Sequence, residues 1–439
     1  MGSGGSTLKA ERTYILAVED GYGPSSQVNK KKEKPANKRN GSPPESKSPP
    51  VNTPAQSPQT TQGRKSISGT ISLGSAGRSN SIAAMSRQGG FSGGAGGGGV
   101  GAFKTSKKFA WLIKGGNFAN LPLSSLECGR IIGTGLMGTV RPAKLPGKEQ
   151  YIALKSVRKD YIHKHNDERH MTNERVLMSA LNSPFCIKLL RTYQDAQCIY
   201  FAMELAVGGE LFHRLSKKAS FPNQVAKFYV CEIFSAIKHV QSLGYVYRDL
   251  KPENVMLDED GHCKLVDFGF STQPQDNGQI KTMCGTPAYL SPEQLDGKFT
   301  NGYTRIVDWW SLGILIFELM TGLTPFCKSN SETRYEIYLR ILKNNIRFPS
   351  GFDATSKSLV QRLCHSDLSK RLTNPDLIAE DDYFPVPWEA VDARKLVPPF
   401  VPRIKEPADH DHYFDQYHEP VKMSDSASAL ANNMTVEGF

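Results

Sequence analysis

Hydrophobic positions are scarce over residues 1–105 and then settle into regular runs separated by turn residues. Short β-branched and apolar runs predict strands over 128–132, 139–144 and 151–157, and again over 187–193 and 199–205. A charged stretch with helical spacing between them predicts a helix over 167–181. Beyond residue 205 the period changes to that of helices, most clearly over 224–243 and 309–321. A strand-rich part with one helix followed by a mainly helical part is an α+β arrangement of two lobes.

Composition separates the ends from the middle. Residues 1–105 are rich in Ser, Gly, Pro, Asn and Gln and too poor in apolar side chains to bury a core, so they read as disordered. The stretch 89–101 is dominated by Gly and reads as a flexible linker. Residues 106–125 read as a lead-in with a short helix at 109–113. The net charge is +11, but residues 1–105 hold 14 Lys+Arg against 5 Asp+Glu, or +9, which leaves +2 for the rest. The basic excess therefore belongs to the tail, and no nucleic-acid partner is expected of the folded part. No run of about 18 apolar residues suggests a membrane span, and the N-terminus lacks the apolar stretch of a secretory signal. The 8 cysteines contain no CxxC pair, which argues against a zinc site or disulfide framework and fits a reducing compartment.

Four clusters carry candidate chemistry. Gly133, Gly135 and Gly138 form a G-x-G-x-x-G loop followed by Val140, where glycine lets the backbone approach phosphates. Dinucleotide-binding folds share that pattern, but they need a helix directly after it. Here a strand and a Pro146-Gly147 turn follow, which favours a hairpin over the phosphates. Lys155 lies among apolar residues of the next strand, and Glu174 lies on the predicted helix, an ion pair suited to steadying an ammonium at phosphates. An exposed lysine on an edge strand is the bland alternative. The run Tyr247-Arg248-Asp249-Leu250-Lys251-Pro252-Glu253-Asn254 offers a base for a hydroxyl proton (Asp249), a cation for a moving phosphoryl group (Lys251) and an oxygen ligand for Mg²⁺ (Asn254). Asp267-Phe268-Gly269 follows the strand Lys264-Leu265-Val266 and supplies a second hard oxygen for Mg²⁺.

In this order and spacing the clusters resemble the protein kinase family over about 126–385, with lobes 126–204 and 205–385 and a tail over 386–439. Tyr247-Arg248-Asp249, Cys284-Gly285-Thr286-Pro287, Val307-Asp308-Trp309-Trp310 and Pro398-Pro399-Phe400-Val401-Pro402 are similar to the AGC group, and among it to the cyclic-AMP-dependent catalytic subunits. The resemblance implies a serine/threonine kinase using ATP and Mg²⁺. It puts Ile132, Val140 and Ala153 over the adenine, Met203 behind it, Glu204 and Ala206 in the hinge, and Phe414 in a tail segment across the ATP site. It makes Thr282 an activation-loop phosphorylation site facing Arg248 and His170. Thr272 stands where the family has a further cation, with Lys281 as a substitute. Glu293 is implied to pair with Arg371. The sequence Val436-Glu437-Gly438-Phe439 resembles a terminal hydrophobic motif, with valine where the family has an aromatic.

Glu210, Glu253 and Glu318 match acidic positions that receive substrate arginines at −3 and −2 and as a set imply basic protein substrates; each alone reads rather as an ordinary solvated charge. Arg78-Ser79-Asn80-Ser81-Ile82 suits such a site, so Ser81 is an expected autophosphorylation position. Met1-Gly2-Ser3-Gly4-Gly5-Ser6 matches an N-myristoylation pattern, or a merely flexible start. One acyl chain binds membranes weakly, and the lysines at 30–32 offer a second signal, a nuclear-import patch or plain solubility. The expected location is cytoplasmic, with nuclear or peripheral membrane pools as further expectations. No cyclic-nucleotide-binding domain is legible, so control by such a nucleotide requires a separate regulatory subunit. The rival readings are an AGC kinase under other control and a pseudokinase scaffold; intact Lys155, Asp249, Asn254 and Asp267 argue against the latter.

Overall fold

The computed structural model describes residues 120–135, 137–295, 302–329, 332–418 and 434–439. The expectations for the tail over 1–105, including Gly2 and Ser81, and for the helix at 109–113 lie outside the described residues.

Among the described residues the first lobe is an antiparallel sheet of β1 (Glu127–Cys128), β2 (Gly133–Thr134), β3 (Gly138–Lys144), β4 (Tyr151–Arg158), β5 (Leu189–Gln194) and β6 (Cys198–Met203). The order is β1-β3-β4-β6-β5, with β2 also on β3. Of the strand expected over 128–132 only Cys128 is in a strand, at the end of β1, and β2 begins just beyond the span at Gly133. Gly129 N–H bonds Pro142 O and Ile132 N–H bonds Val140 O, while Arg130, between them, sends its side chain elsewhere. Alternation along β4 explains its chemistry. Ile152 and Leu154 join an outer apolar cluster with Ala143, Tyr193 and Ala202. Ala153 and Val157 face the main core, and Lys155, at the same parity, points inward with them.

Two helices interrupt the sheet, α1 (Lys159–His165) and α2 (Glu168–Ala180). Sequence pattern did not anticipate α1, a short helix capped at its end by Asn166 in the left-handed region. The second lobe contains α3 (Leu211–Lys218), α4 (Asn223–Ser242), the hairpin β7 (Val255–Leu257) and β8 (Cys263–Leu265), and the short α5 (Pro292–Leu295). It continues with α6 (Val307–Thr321), α7 (Arg334–Lys343), α8 (Ala354–Leu363), α9 (Pro375–Ala379) and α10 (Trp388–Asp392). Helix α6 is buried nearly all round and mostly apolar, with Asp308, Ser311 and Glu318 as its buried polar residues. The eight cysteines are free thiols, and no helix of the described residues is long and apolar enough to cross a membrane.

Candidate active site

The site is built on strand ends and on a loop pinned from behind. Gly138 is required sterically: a Cβ there would lie 1.7 Å from Ser156 O. Gly135 has open space around it, and Gly133 meets only ordinary contacts with Val140, so these two leave room where a phosphate would approach. Register sets Gly133 opposite Val140, Val140 opposite Lys155 and Ala153 opposite Met203. Ile132, Ala153, Met203 and Ala206 are buried in the main core, and Phe414 packs against it.

Lys155 Nζ lies 2.7 Å from Glu174 Oε1 and 3.1 Å from Asp267 Oδ1. Burial works against the lysine's charge, but Asp267 and Glu174 outweigh it and raise its pKa. The same ammonium holds the Asp267 carboxyl below the usual carboxylate range. Burial raises the Glu174 carboxyl while Lys155 pulls it back.

The catalytic-type loop is fixed by Asp308, in the first turn of α6. Its Oδ1 accepts the Arg248 N–H at 2.8 Å, and its Oδ2 accepts the Tyr247 N–H at 3.0 Å and Gln241 Nε2 at 2.9 Å. Burial nonetheless raises the Asp308 carboxyl. Arg248 and Asp267 both sit at positive φ, +71° and +57°, a conformation costly for side-chain-bearing residues; these bonds hold the first, and the second is bonded by Lys155. Asp249 then receives three side chains. Thr286 Oγ1 donates to its Oδ1 at 2.8 Å, Asn254 Nδ2 to its Oδ2 at 2.8 Å, and Lys251 Nζ sits 2.8 Å from Oδ2. Lys251 also donates to Thr286 Oγ1 at 2.9 Å. Thr286 was legible in the sequence only as part of a group signature, and Asp308 likewise; their bonds join positions 37 and 60 residues away from Asp249 and Arg248.

For Mg²⁺ the donor set fits. Asn254 spends its amide N–H groups on Asp249 and directs its oxygen away from it, and Asp267 is half exposed. No cluster of three or more His, Cys, Asp or Glu occurs among the described residues.

The regulatory residues are brought together only in part. Arg248 Nη1 donates to Thr282 Oγ1 at 2.8 Å and to Tyr303 OH at 3.0 Å, and Tyr303 OH donates to Thr282 O at 2.6 Å. His170 instead pairs with Asp167 on its own helix entry. Thr272 is engaged through its backbone with Val246, and Lys281 is exposed. Of the acidic residues, Glu210 precedes α3, which packs on the segment holding Glu253. Glu318 on α6 is buried and accepts the Tyr289 hydroxyl. Glu293 and Arg371 form a buried bidentate pair at 2.5 and 2.9 Å.

The tail touches both lobes. Gly209, at φ +75°, lies so close to Tyr413 O that a Cβ would be 2.6 Å from it. Arg130, just ahead of the glycine loop, donates to Asp411 Oδ2 at 2.5 Å, Asp411 O at 2.8 Å and Asp415 O at 2.8 Å. Sequence reasoning missed Arg130, whose partners lie some 281 residues away. Val436 is 1% exposed despite not being aromatic. Gln194 Nε2 donates to Val436 O and Phe439 O, Lys159 donates to Met434 O, and the Phe439 ring meets Phe201 edge-on and Arg175 from above.

This geometry agrees with the comparisons to known proteins. Residues 126–384 match the protein kinase domain. The cAMP-dependent protein kinase catalytic subunit PRKX of Mus musculus is 42% identical over 293 residues, 66% of this chain and 80% of that protein. The cAMP-dependent protein kinase type 3 of Saccharomyces cerevisiae is 38% identical over 302 residues, 68% and 74% of the two chains. A RAC family serine/threonine-protein kinase homolog of Dictyostelium discoideum is 35% identical over 292 residues, 65% and 64% of the two. A chain with this two-lobed fold, this pinned loop and these relatives belongs to the protein kinase family, as an AGC-type serine/threonine kinase related to the cAMP-dependent kinases.

Proposed function

We propose that this kinase moves the γ-phosphoryl group of Mg-ATP to Ser or Thr in proteins carrying arginine at −3 and −2. The observation that carries the reading is the Asp249 carboxylate, oriented by Thr286, Lys251 and Asn254 at once. As the substrate hydroxyl oxygen attacks the γ-phosphorus, its proton passes to Asp249. The bond to the β-phosphate oxygen breaks and ADP leaves. Lys251 offsets charge on the moving group, and Lys155, steadied by Glu174, holds the α- and β-phosphates. Asn254 and Asp267 would hold Mg²⁺, which neutralises phosphate charge when bound. Ile132, Val140, Ala153 and Met203 enclose the adenine against the backbone of Glu204 and Ala206, beneath the glycines and beside Phe414.

The basic-substrate reading is supported by position. Glu253 lies two residues after Lys251 in the loop, Glu210 leads the helix packed on it, and Glu318 bonds Tyr289, three residues beyond Thr286. Opposite charges in a site give specificity through complementarity. Thr282 is proposed as the regulatory phosphorylation site, through Arg248, and a cyclic-nucleotide-binding regulatory subunit as a partner. A cytoplasmic location, with membrane association if Gly2 is myristoylated, completes the proposal.

The test is radiolabelled transfer from Mg-ATP to a peptide library. Transfer to Ser peptides with Arg at −3 and −2, reduced by about 10²–10⁴-fold in Asp249→Ala, is expected. Transfer without arginine preference would remove Glu210, Glu253 and Glu318 from that role. No transfer from protein phosphorylated at Thr282 would sink the catalytic reading.

A further inference from the structure

We propose that Lys264 is a positioning residue of the nucleotide site: through its ion pair with Glu204 it fixes the hinge backbone that meets the purine, and so sets the preference for ATP over GTP. This rests on the nucleotide reading above.

Lys264 lies mid-strand in β8, opposite Met256, three residues ahead of Asp267. Its Nζ is 2.7 Å from Glu204 Oε1, and both residues are buried, at 6% and 5% exposure. The same Oε1 accepts the Lys188 N–H at 3.0 Å, and the Glu204 N–H donates to Lys188 O at 3.0 Å. Glu204 is therefore held at its carboxylate and at its amide, which leaves its peptide little freedom to turn. Strand β8 is tied to the same stretch again: Ile187 N–H donates to Leu265 O at 2.9 Å and Leu265 N–H to Phe185 O at 2.7 Å. Residues 185–188, 204 and 264–265 thus form one hydrogen-bonded block across the hinge, continuous with the strand that delivers Asp267.

A buried ion pair adds little net stability, because desolvating two charges offsets their attraction, and apolar residues of like volume would fill the space as well. What the charged pair has and an apolar pair lacks is direction. Adenine presents an amino donor where guanine presents a carbonyl acceptor. A hinge whose peptides cannot turn accepts the first pattern and leaves a buried group unpaired against the second, the condition under which polar sites discriminate most strongly. A loosened hinge can turn a peptide toward guanine.

The experiment compares ATP and GTP as donors to one peptide for the wild type, Lys264→Met, Lys264→Met/Glu204→Leu and Glu204→Gln, with a thermal melt of each. In Lys264→Met, KM for ATP is expected to rise about 5–10-fold with kcat within about twofold, and the ATP-to-GTP ratio of kcat/KM to fall about tenfold. The double variant strands no charge. It should recover the melting temperature while keeping the raised KM and lowered ratio. Glu204→Gln retains an oxygen for both donors and should lie closer to wild type than the double variant does. Should Lys264→Met not fold, the double variant decides. Wild-type KM and ATP-to-GTP ratio in Lys264→Met and the double variant, whatever their melting temperatures, would overturn the proposal. A wild type that uses GTP as well as ATP would instead overturn the adenine reading beneath it.

Discussion

The catalytic loop and the activation segment meet at one residue, Arg248, and are built on opposite terms. Its backbone belongs to the first: the Arg248 N–H and its neighbour's are bonded by buried Asp308. Its side chain belongs to the second: it reaches Thr282, Tyr303 and Phe270 O. In the loop the Asp249 carboxylate is already bonded by Thr286, Lys251 and Asn254, so its orientation is set before any ligand arrives. Around Thr282 the contacts are those of neutral hydroxyls and carbonyls to one guanidinium, while His170 pairs with Asp167 and Lys281 is exposed. The first region is pre-organised; the second is arranged to gain from added charge.

The largest blow to this contrast should come from Asp308→Ala. It strips the acceptor from two backbone N–H groups and Gln241, and the loss of buried partners should cost about 3–5 kcal/mol, with phosphate transfer falling in parallel. Denaturant unfolding and steady-state rates would measure both; a soluble variant with wild-type kcat would mean that the loop holds itself. Thr282→Ala should be milder: the fold stays intact, and activity falls about 10–100-fold relative to the Thr282-phosphorylated enzyme, one or two charge-assisted bonds' worth. Equal activity of the two would mean that the residue 282 side chain, with or without phosphate, is not needed. Thr272→Lys should sharpen the comparison by restoring a cation near Thr282. Its ratio of phosphorylated to unphosphorylated activity is expected to rise about two- to fivefold, the worth of one exposed charge pair, and an unchanged ratio would place residue 272 outside the phosphate's reach.

The smallest effect belongs to neither region. Asp353 caps α8, accepting from Ser356 N–H at 2.9 Å and from two hydroxyls, and the Thr355 hydroxyl bond leads in lowering its pKa to about 2. Asp353→Ala should cost about 1 kcal/mol near neutrality without touching kcat. Because the folded carboxyl titrates lower than the unfolded one, the cap's contribution is full above the ordinary carboxylate range and fades as pH falls towards about 2. The melting difference between variant and wild type should shrink over that interval.

The parts legible in sequence were those whose partners are near in the chain or fixed by motif spacing. Lys155 and Glu174 were legible as a pair because a lysine amid apolar strand residues needs a partner and the predicted helix 19 residues on offers Glu174. The Arg371–Glu293 pair likewise followed from its motif. His170 shows the limit: its spacing from Glu174 put it on the face toward Thr282, but Asp167, three residues away on the same helix entry, supplies a nearer carboxylate. Arg130, Lys264 and Asp308 were invisible in their roles for a different reason. Each bonds across 60 residues or more, and no local period encodes which buried charge will find which carbonyl or carboxylate. At Val436 the departure from the family's aromatic does not prevent burial: an aliphatic side chain is covered where the flanking backbone is held by Gln194 and Lys159.

Helix α2 carries Glu174 and Arg175 side by side, the first turned in toward Lys155 and the second turned out over the ring of Phe439. Consecutive helical residues point about 100° apart, so the two contacts act as stops on either side of a spindle. A roll that withdraws Glu174 from its lysine must swing the guanidinium off the ring, beside which Gly438 at φ +87° leaves it only just enough clearance. The helix is thereby geared rather than hinged: its angular setting is shared between the interior of the lobe and the segment lying on its outside, and neither can be reset alone.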